Sequence, residues 1–177
     1  MAAEMGPDTR SRLSRRFAER TARLAAEAGL DPVMVAGDDE VASWALELGF
    51  PSIPGPDGGL NGAAAVGAKW ASLSGSPWVV LHSDLPLLTR GELDEVIAVL
   101  AAGDWVIAAS ADGGTSAFGG RDEARFCYGP GSFRLHLGRY PGAKIVTNRG
   151  LLHDVDSFAD LESARRHLRG SWLSEFA

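Results

Sequence analysis

Three aspartates are spaced as a cation site would require. Asp84 lies in His82-Ser83-Asp84-Leu85-Pro86, directly after the apolar run Trp78-Val79-Val80-Leu81. Asp154 and Asp156 stand two apart in Leu152-His153-Asp154-Val155-Asp156. With Leu151 to Asp156 read as extended, residues two apart face the same way, so both carboxylates point to one side and Val155 to the other. If that side is the carboxyl edge of a sheet, Asp84, Asp154 and Asp156 converge. Such a cluster is repulsive unless a cation neutralises it. Ligands that are all oxygen suit Mg²⁺ rather than zinc. Mg²⁺ held by carboxylates and substrate phosphates is the usual arrangement in phosphoryl and nucleotidyl transfer. The same residues have plainer readings, Asp84-Leu85-Pro86 as a turn and Asp156-Ser157 as a helix cap, and spacing alone leaves both open.

A second set of residues suits an anion. Gly129-Pro130-Gly131-Ser132 precedes a helical stretch, where backbone N–H groups favour phosphate or carboxylate and glycine permits close approach. Thr115, after Gly113-Gly114, adds a hydroxyl donor. Two ordinary turns would give the same pattern. The loop Gly55-Pro56-Asp57-Gly58-Gly59 has that ambiguity too, and the chain has neither a GxGxxG fingerprint nor a Walker GKS/GKT. His82, His136, His153 and His167 are not at metal-ligand spacing. No Ser–His–Asp arrangement is legible, and the five tryptophans suit packing.

These residues need elements to hold them. A helix over 11–28 is closed by Gly29, with Leu13, Phe17, Leu24 and Ala28 on one face and arginines on the other. Pro32–Ala36 reads as a strand. Asp38-Asp39 can cap a helix from Glu40 to Leu48. An extended piece at 51–54 leads to the glycine loop, and Asn61 opens the next helix. Trp78–Leu81 reads as a central parallel strand covered on both faces. Thr89 with Glu92 forms a capping box for a helix to about Ala102. Strands are expected over 105–109, around Ala117-Phe118 and over 144–147. Ser132 is expected to cap a helix to Tyr140, and Ser157 with Asp160 a last helix to Leu168. Repeated β-α-β units imply a doubly wound α/β fold in three layers, with a mostly parallel central sheet and helices on both faces. Ligands then bind beyond the carboxyl ends of the strands, where Asp84 lies.

The chain of 177 residues is expected to form a single domain, 1–177, with 45% hydrophobic and 23% charged residues. Its formal charge of −6 argues against a nucleic-acid polymer as partner. No apolar run approaches the ~20 residues of a membrane helix. Cys127 is the only cysteine, which precludes an internal disulfide and fits a cytoplasmic protein. The arginine-rich N-terminus invites a transit-peptide reading, but Glu4, Asp8 and Glu19 count against it.

Taken together, Gly-Gly-Leu60-Asn61, His-Ser-Asp84-Leu-Pro-Leu-Leu, Asp-Gly-Gly-Thr115-Ser, Tyr-Gly129-Pro-Gly-Ser132-Phe-Arg-Leu-His136 and Leu-Leu-His-Asp154-Val-Asp156-Ser resemble, in order and spacing, the 2-phospho-L-lactate (phosphoenolpyruvate) guanylyltransferases of deazaflavin coenzyme F-420 biosynthesis. That family has a nucleotidyltransferase fold akin to the molybdopterin-guanylyltransferases. The resemblance implies Mg²⁺ on Asp84, Asp154 and Asp156. It implies acceptor binding by Thr115, Gly129 and Ser132, and guanosine contacts around Leu60 and Asn61. The expected substrates are GTP and a phosphorylated three-carbon acid: 2-phospho-L-lactate, phosphoenolpyruvate or 3-phosphoglycerate. The family's Lys-x-Arg-Leu motif falls on Arg10-Ser11-Arg12-Leu13, which makes Arg12 a nucleotide-phosphate contact. The family's first strand has no counterpart, since Met1–Pro7 lacks strand character. The alternatives are a degenerate or truncated relative that binds the acceptor without catalysis, and a same-fold enzyme with another acceptor. A homodimer is compatible with the sequence.

Overall fold

Neighbouring residues on the strands feed different cores, and this alternation makes the three layers. The computed structural model describes residues 5–57 and 59–176. Gly58, in the glycine loop, and Met1–Glu4 lie outside them. A four-stranded sheet has the order β3 (Trp78–Leu81), β5 (Thr115–Gly120), β4 (Val106–Ala109), β6 (Lys144–Ile145). Val79, Leu81, Val106, Ala108 and Ala117 face one side, against Leu93, Val96 and Leu100 of α4 (Arg90–Ala101) and Ala25 of α1 (Pro7–Glu27). Trp78, Val80, Ile107 and Phe118 face the other, against Ala68 of α3 (Gly59–Ser72) and Phe133 and Leu137 of α5 (Ser132–Arg139). A period of two thus puts one apolar set on each face, and both faces are covered by helices.

The expected α/β architecture is present, with a different sheet centre. β4 pairs with β6 in parallel, but β5 runs antiparallel between β3 and β4. Trp78–Leu81 is therefore not a central parallel strand. Among the described residues it pairs only with β5, and Val79, Val80 and Leu81 are half-buried. Its apolar run reflects burial under helices rather than flanking strands. β1 (Met34–Ala36) and β2 (Ser52–Pro54) form a separate parallel pair. No strand precedes α1 among the described residues.

The helix signals perform as expected where a side chain meets a backbone N–H. Asp38 accepts from Val41 N at 2.8 Å to cap α2 (Asp39–Glu47). Capping boxes form at Thr89–Glu92 and at Ser157–Asp160, the latter opening α7 (Phe158–Arg165). Two expectations fail. Leu151 to Asp156 is not one extended piece: Asn148 caps a short helix, α6 (Arg149–Leu152), and only the residues after it are non-helical. Ser132 does not cap α5. Gly131, at φ 69°, takes the cap position, which frees the Ser132 hydroxyl for other use.

A third core closes the N-terminal helix onto the C-terminus. Leu13 and Phe17 of α1 pack with Leu87, Val155, Leu161 and Leu173, the last in the 3₁₀ segment Leu168–Phe176. This places α1 directly over Asp84 and Val155.

Candidate active site

Asp84 is fixed through its backbone. Thr21 Oγ1 on α1 donates to Ser83 O at 2.9 Å, and Val155 N donates to Asp84 O at 3.1 Å. The second bond holds the strand end of β3 against the segment that carries Asp154 and Asp156. A cavity of about 230 Å³ opens here, lined by Ser14, Phe17, Ser83, Asp84, Val155 and Asp156. Asp84 Oδ1 is buried and has no hydrogen-bond partner among the described residues, and the same holds for His82 Nε2 and Tyr128 Oη. Buried polar groups nearly always find a protein or water partner, which makes these three orphans notable. The His82 and Tyr128 rings are 5.2 Å apart, which puts two of the three orphans in one neighbourhood.

The carboxylates converge in a different combination from the one expected. Oxygens of Asp112, Asp154 and Asp156 lie within 4.8 Å of one another. Asp84 adjoins this trio without belonging to it, close enough that Asp154 and Asp156 both raise its carboxyl pKa. Burial is the larger cause of that rise, and the charge of His82 opposes it. The Asp154 carboxyl is also raised, first by burial and then by Asp112 and Asp156. Asp112 differs. Its carboxyl is held low by the Ser110 hydroxyl and by Gly114 N–H at 2.8 Å. Three gathered carboxylates, with the Asp84 carboxyl beside them, make an all-oxygen donor set suited to a hard divalent cation.

Sequence reasoning missed Asp112. The signal was available: it follows β4 as Asp84 follows β3, and the carboxyl ends of strands are where such sheets bind ligands. In Asp-Gly-Gly-Thr115-Ser the sequence draws attention to Thr115 and not to the aspartate.

Thr115, Ser132 and Gly129 do come together. The Ser132 and Thr115 hydroxyls are hydrogen-bonded at 3.1 Å, across 17 residues of chain. Ser132 N donates to Gly129 O at 3.0 Å, which closes the turn before α5. Gly129 and Gly131 have φ of 132° and 69°, conformations that L side chains rarely adopt. The turn Gly129–Gly131 is exposed, whereas Thr115 and Ser132 are each 1% exposed. Both hydroxyls are therefore buried beneath the exposed turn.

Of the three nucleotide-contact candidates, Leu60 and Asn61 are neighbours on α3 and Arg12 stands on α1. Leu60 is exposed at the start of α3. Asn61 bonds to the backbone of Tyr128, donating from Nδ2 to its O at 3.1 Å and accepting from its N at 2.7 Å. It thus clamps the segment that leads into the Gly129 turn. Arg12 is exposed and sits over the Phe176 ring, 5.9 Å from its centroid.

Residues 13–174 match the model of the MobA-like NTP transferase domain. The chain belongs to that family. It is 31% identical to a phosphoenolpyruvate guanylyltransferase from Sphaerobacter thermophilus, over 94% of this chain and 86% of that protein. It is 38% identical to one from Mycobacterium leprae, over 75% of this chain and 65% of that protein. A 2-phospho-L-lactate guanylyltransferase from Halomicrobium mukohataei is 32% identical, over 82% of this chain and 70% of that protein. A crystal structure from Desulfovibrio desulfuricans G20, assigned by name to the nucleotide-diphospho-sugar transferases, superimposes with a TM-score of 0.74. It covers 97% of this chain and 84% of its own at 20% identity, a likeness of fold. The chain is accordingly a nucleotidyltransferase by family. No helix among the described residues is long and apolar enough to cross a membrane.

Proposed function

We propose that the protein transfers GMP from GTP to a phosphorylated three-carbon acid, 2-phospho-L-lactate, phosphoenolpyruvate or 3-phosphoglycerate, and releases pyrophosphate. The observation that carries this reading is the pairing of the Thr115 and Ser132 hydroxyls next to a glycine turn, in a chain whose carboxylates gather at the strand ends. Relatives bearing both guanylyltransferase names support it. A phosphate oxygen of the acid attacks the α-phosphorus of GTP. The bond between the α-phosphorus and the bridging oxygen breaks, and the β- and γ-phosphates leave together. The attacking group is already an anion, so the protein's work is to place two anions and neutralise their charge. Asp112, Asp154 and Asp156, with Asp84 beside them, would hold Mg²⁺. Mg²⁺ supplies charge neutralisation at the transferred phosphoryl group. Thr115, Ser132 and the Gly129 turn hold the acid. We place the reaction in the cytoplasm and in the making of the deazaflavin coenzyme F-420.

Pyrophosphate release from GTP, measured with Mg²⁺ and each of the three acids, tests this. Turnover with one acid supports it, and no turnover with any of them refutes it. A second reading, binding of the acid without transfer, is favoured by the engagement of Asn61 with the Tyr128 backbone and of Arg12 with the Phe176 ring. Calorimetry that finds acid binding without GTP binding would select that reading.

A further inference from the structure

We propose that His136, a residue without a role so far, is the positioning residue that fixes Thr115 as a hydrogen-bond donor toward the acceptor's anionic group; this rests on the function proposed above. His136 is fully buried on α5. Its two ring nitrogens serve different elements. Nε2 accepts from Cys127 N at 2.8 Å, and Nδ1 lies 2.9 Å from Thr115 Oγ1. An amide N–H can only donate, so Nε2 must carry the lone pair. The proton of the neutral ring is then on Nδ1, and it points at Thr115.

This tautomer determines what Thr115 can do. A hydroxyl has two lone pairs and one proton. Thr115 Oγ1 accepts from His136 Nδ1–H, so its own proton cannot go to the ring and is turned toward Ser132 Oγ and the Gly129 turn. An oxyanion needs a donor, and a hydroxyl that presented a lone pair would repel it. The consequence is larger out of water, where an unmatched polar contact goes unscreened. The ring has no freedom to change its arrangement. It stacks on Phe118 at 4.7 Å and meets Tyr128 edge-on at 5.0 Å. Protonation would set an Nε2–H against the Cys127 N–H. Burial, then the charges of Arg139 and His82, all push the ring toward the neutral form, to a pKa of about 4.

His136 also ties the two halves of the acceptor region together. Its Cys127 bond and the Asn61–Tyr128 clamp hold adjacent residues just before Gly129. A purely structural histidine would do that much. The two functions separate by substitution, because asparagine places an amide near the Nδ1 position and glutamine near Nε2. His136→Asn keeps a donor for Thr115 and gives up Cys127. His136→Gln keeps an acceptor for Cys127 and gives up Thr115.

The experiment measures binding of 2-phospho-L-lactate, phosphoenolpyruvate and inorganic phosphate by calorimetry, and KM for each substrate, in the wild type and both variants. Losing one charge-assisted hydrogen bond predicts about tenfold or more weaker acid binding for His136→Gln, with KM for GTP unchanged. His136→Asn stays within about threefold of wild type on the same scale. Equal affinities in the two variants, or a larger loss in His136→Asn, overturn the proposal. Wild type that binds neither acid refutes the proposed function instead. Nitrogen NMR of the wild-type ring decides the orientation without any variant. The proposal expects an Nδ1–H tautomer that does not titrate between pH 8 and about 5. An Nε2–H tautomer, or titration within that range, overturns it.

Discussion

Replacing Glu92 with Gln tests how the carboxylate segment is held in place. Glu92 is 7% exposed and accepts four hydrogen bonds. Oε2 takes Thr89 N and Thr89 Oγ1, both at 2.9 Å. Oε1 takes Gly150 N at 3.0 Å and Arg169 Nη1 at 2.8 Å. Gly150 stands in the first turn of α6, four residues before Asp154. Glutamine has one acceptor oxygen, so one end of its amide must face donors. The less costly orientation keeps oxygen toward Gly150 and turns NH₂ toward Thr89, whose hydroxyl can reverse and accept. Thr89 N is then orphaned at about 1–3 kcal/mol. The lost charge opposite Arg169, which is 41% exposed at its side chain, adds at most about 1 kcal/mol. The total is about 2 kcal/mol, or a fall of about 4–8 °C in Tm for a chain of this size. Thermal melts at pH 7 read it, with the more exposed Glu95→Gln as control, expected within about 0.5 kcal/mol of wild type.

The pH dependence gives a second check. Burial would raise the Glu92 carboxyl, but Gly150 N–H, Arg169 and Thr89 outweigh it and hold the group below its ordinary value. A carboxyl lowered by folding contributes stability that is fully present above its unfolded pKa and is lost as pH falls through the folded one. The gap between wild type and Glu92→Gln is therefore full at pH 7 and narrows below about pH 4. No gap at pH 7, or a gap that persists undiminished at pH 3, refutes the reasoning.

Three further outcomes follow from the site and its support. Asp112→Asn should raise the Mg²⁺ needed for half-maximal pyrophosphate release about tenfold, because it removes one of the gathered carboxylates; an unchanged Mg²⁺ titration would separate Asp112 from the cation. Asn61→Ala should speed hydrogen exchange at the Tyr128 amide and raise KM for the acid while leaving KM for GTP alone; the reverse pattern would return Asn61 to the nucleotide. Phe118→Ala empties the aromatic core that stacks on Trp105 and His136, and should cost about 3–5 kcal/mol in urea denaturation.

The sequence alone determined the elements and the types of residue at their ends. Local hydrogen bonds decide caps, so Asp38, Thr89–Glu92 and Ser157–Asp160 are legible from spacing, and the apolar runs of β3 and β4 from composition. The motif resemblance pointed to the family that the domain match and the named relatives show. Tertiary structure decided what depends on partners far apart in sequence. An apolar strand reads alike whether strands or helices cover it, so the edge position of Trp78–Leu81 was not legible. Asp112 stands out only once α6 and the segment after it bring Asp154 and Asp156 beside it. Ser132 looked like a cap until Gly131 took that place and Thr115 arrived from β5. His136 closes one of the motifs, but its role was not legible, because which atoms its two nitrogens meet is settled only in the core.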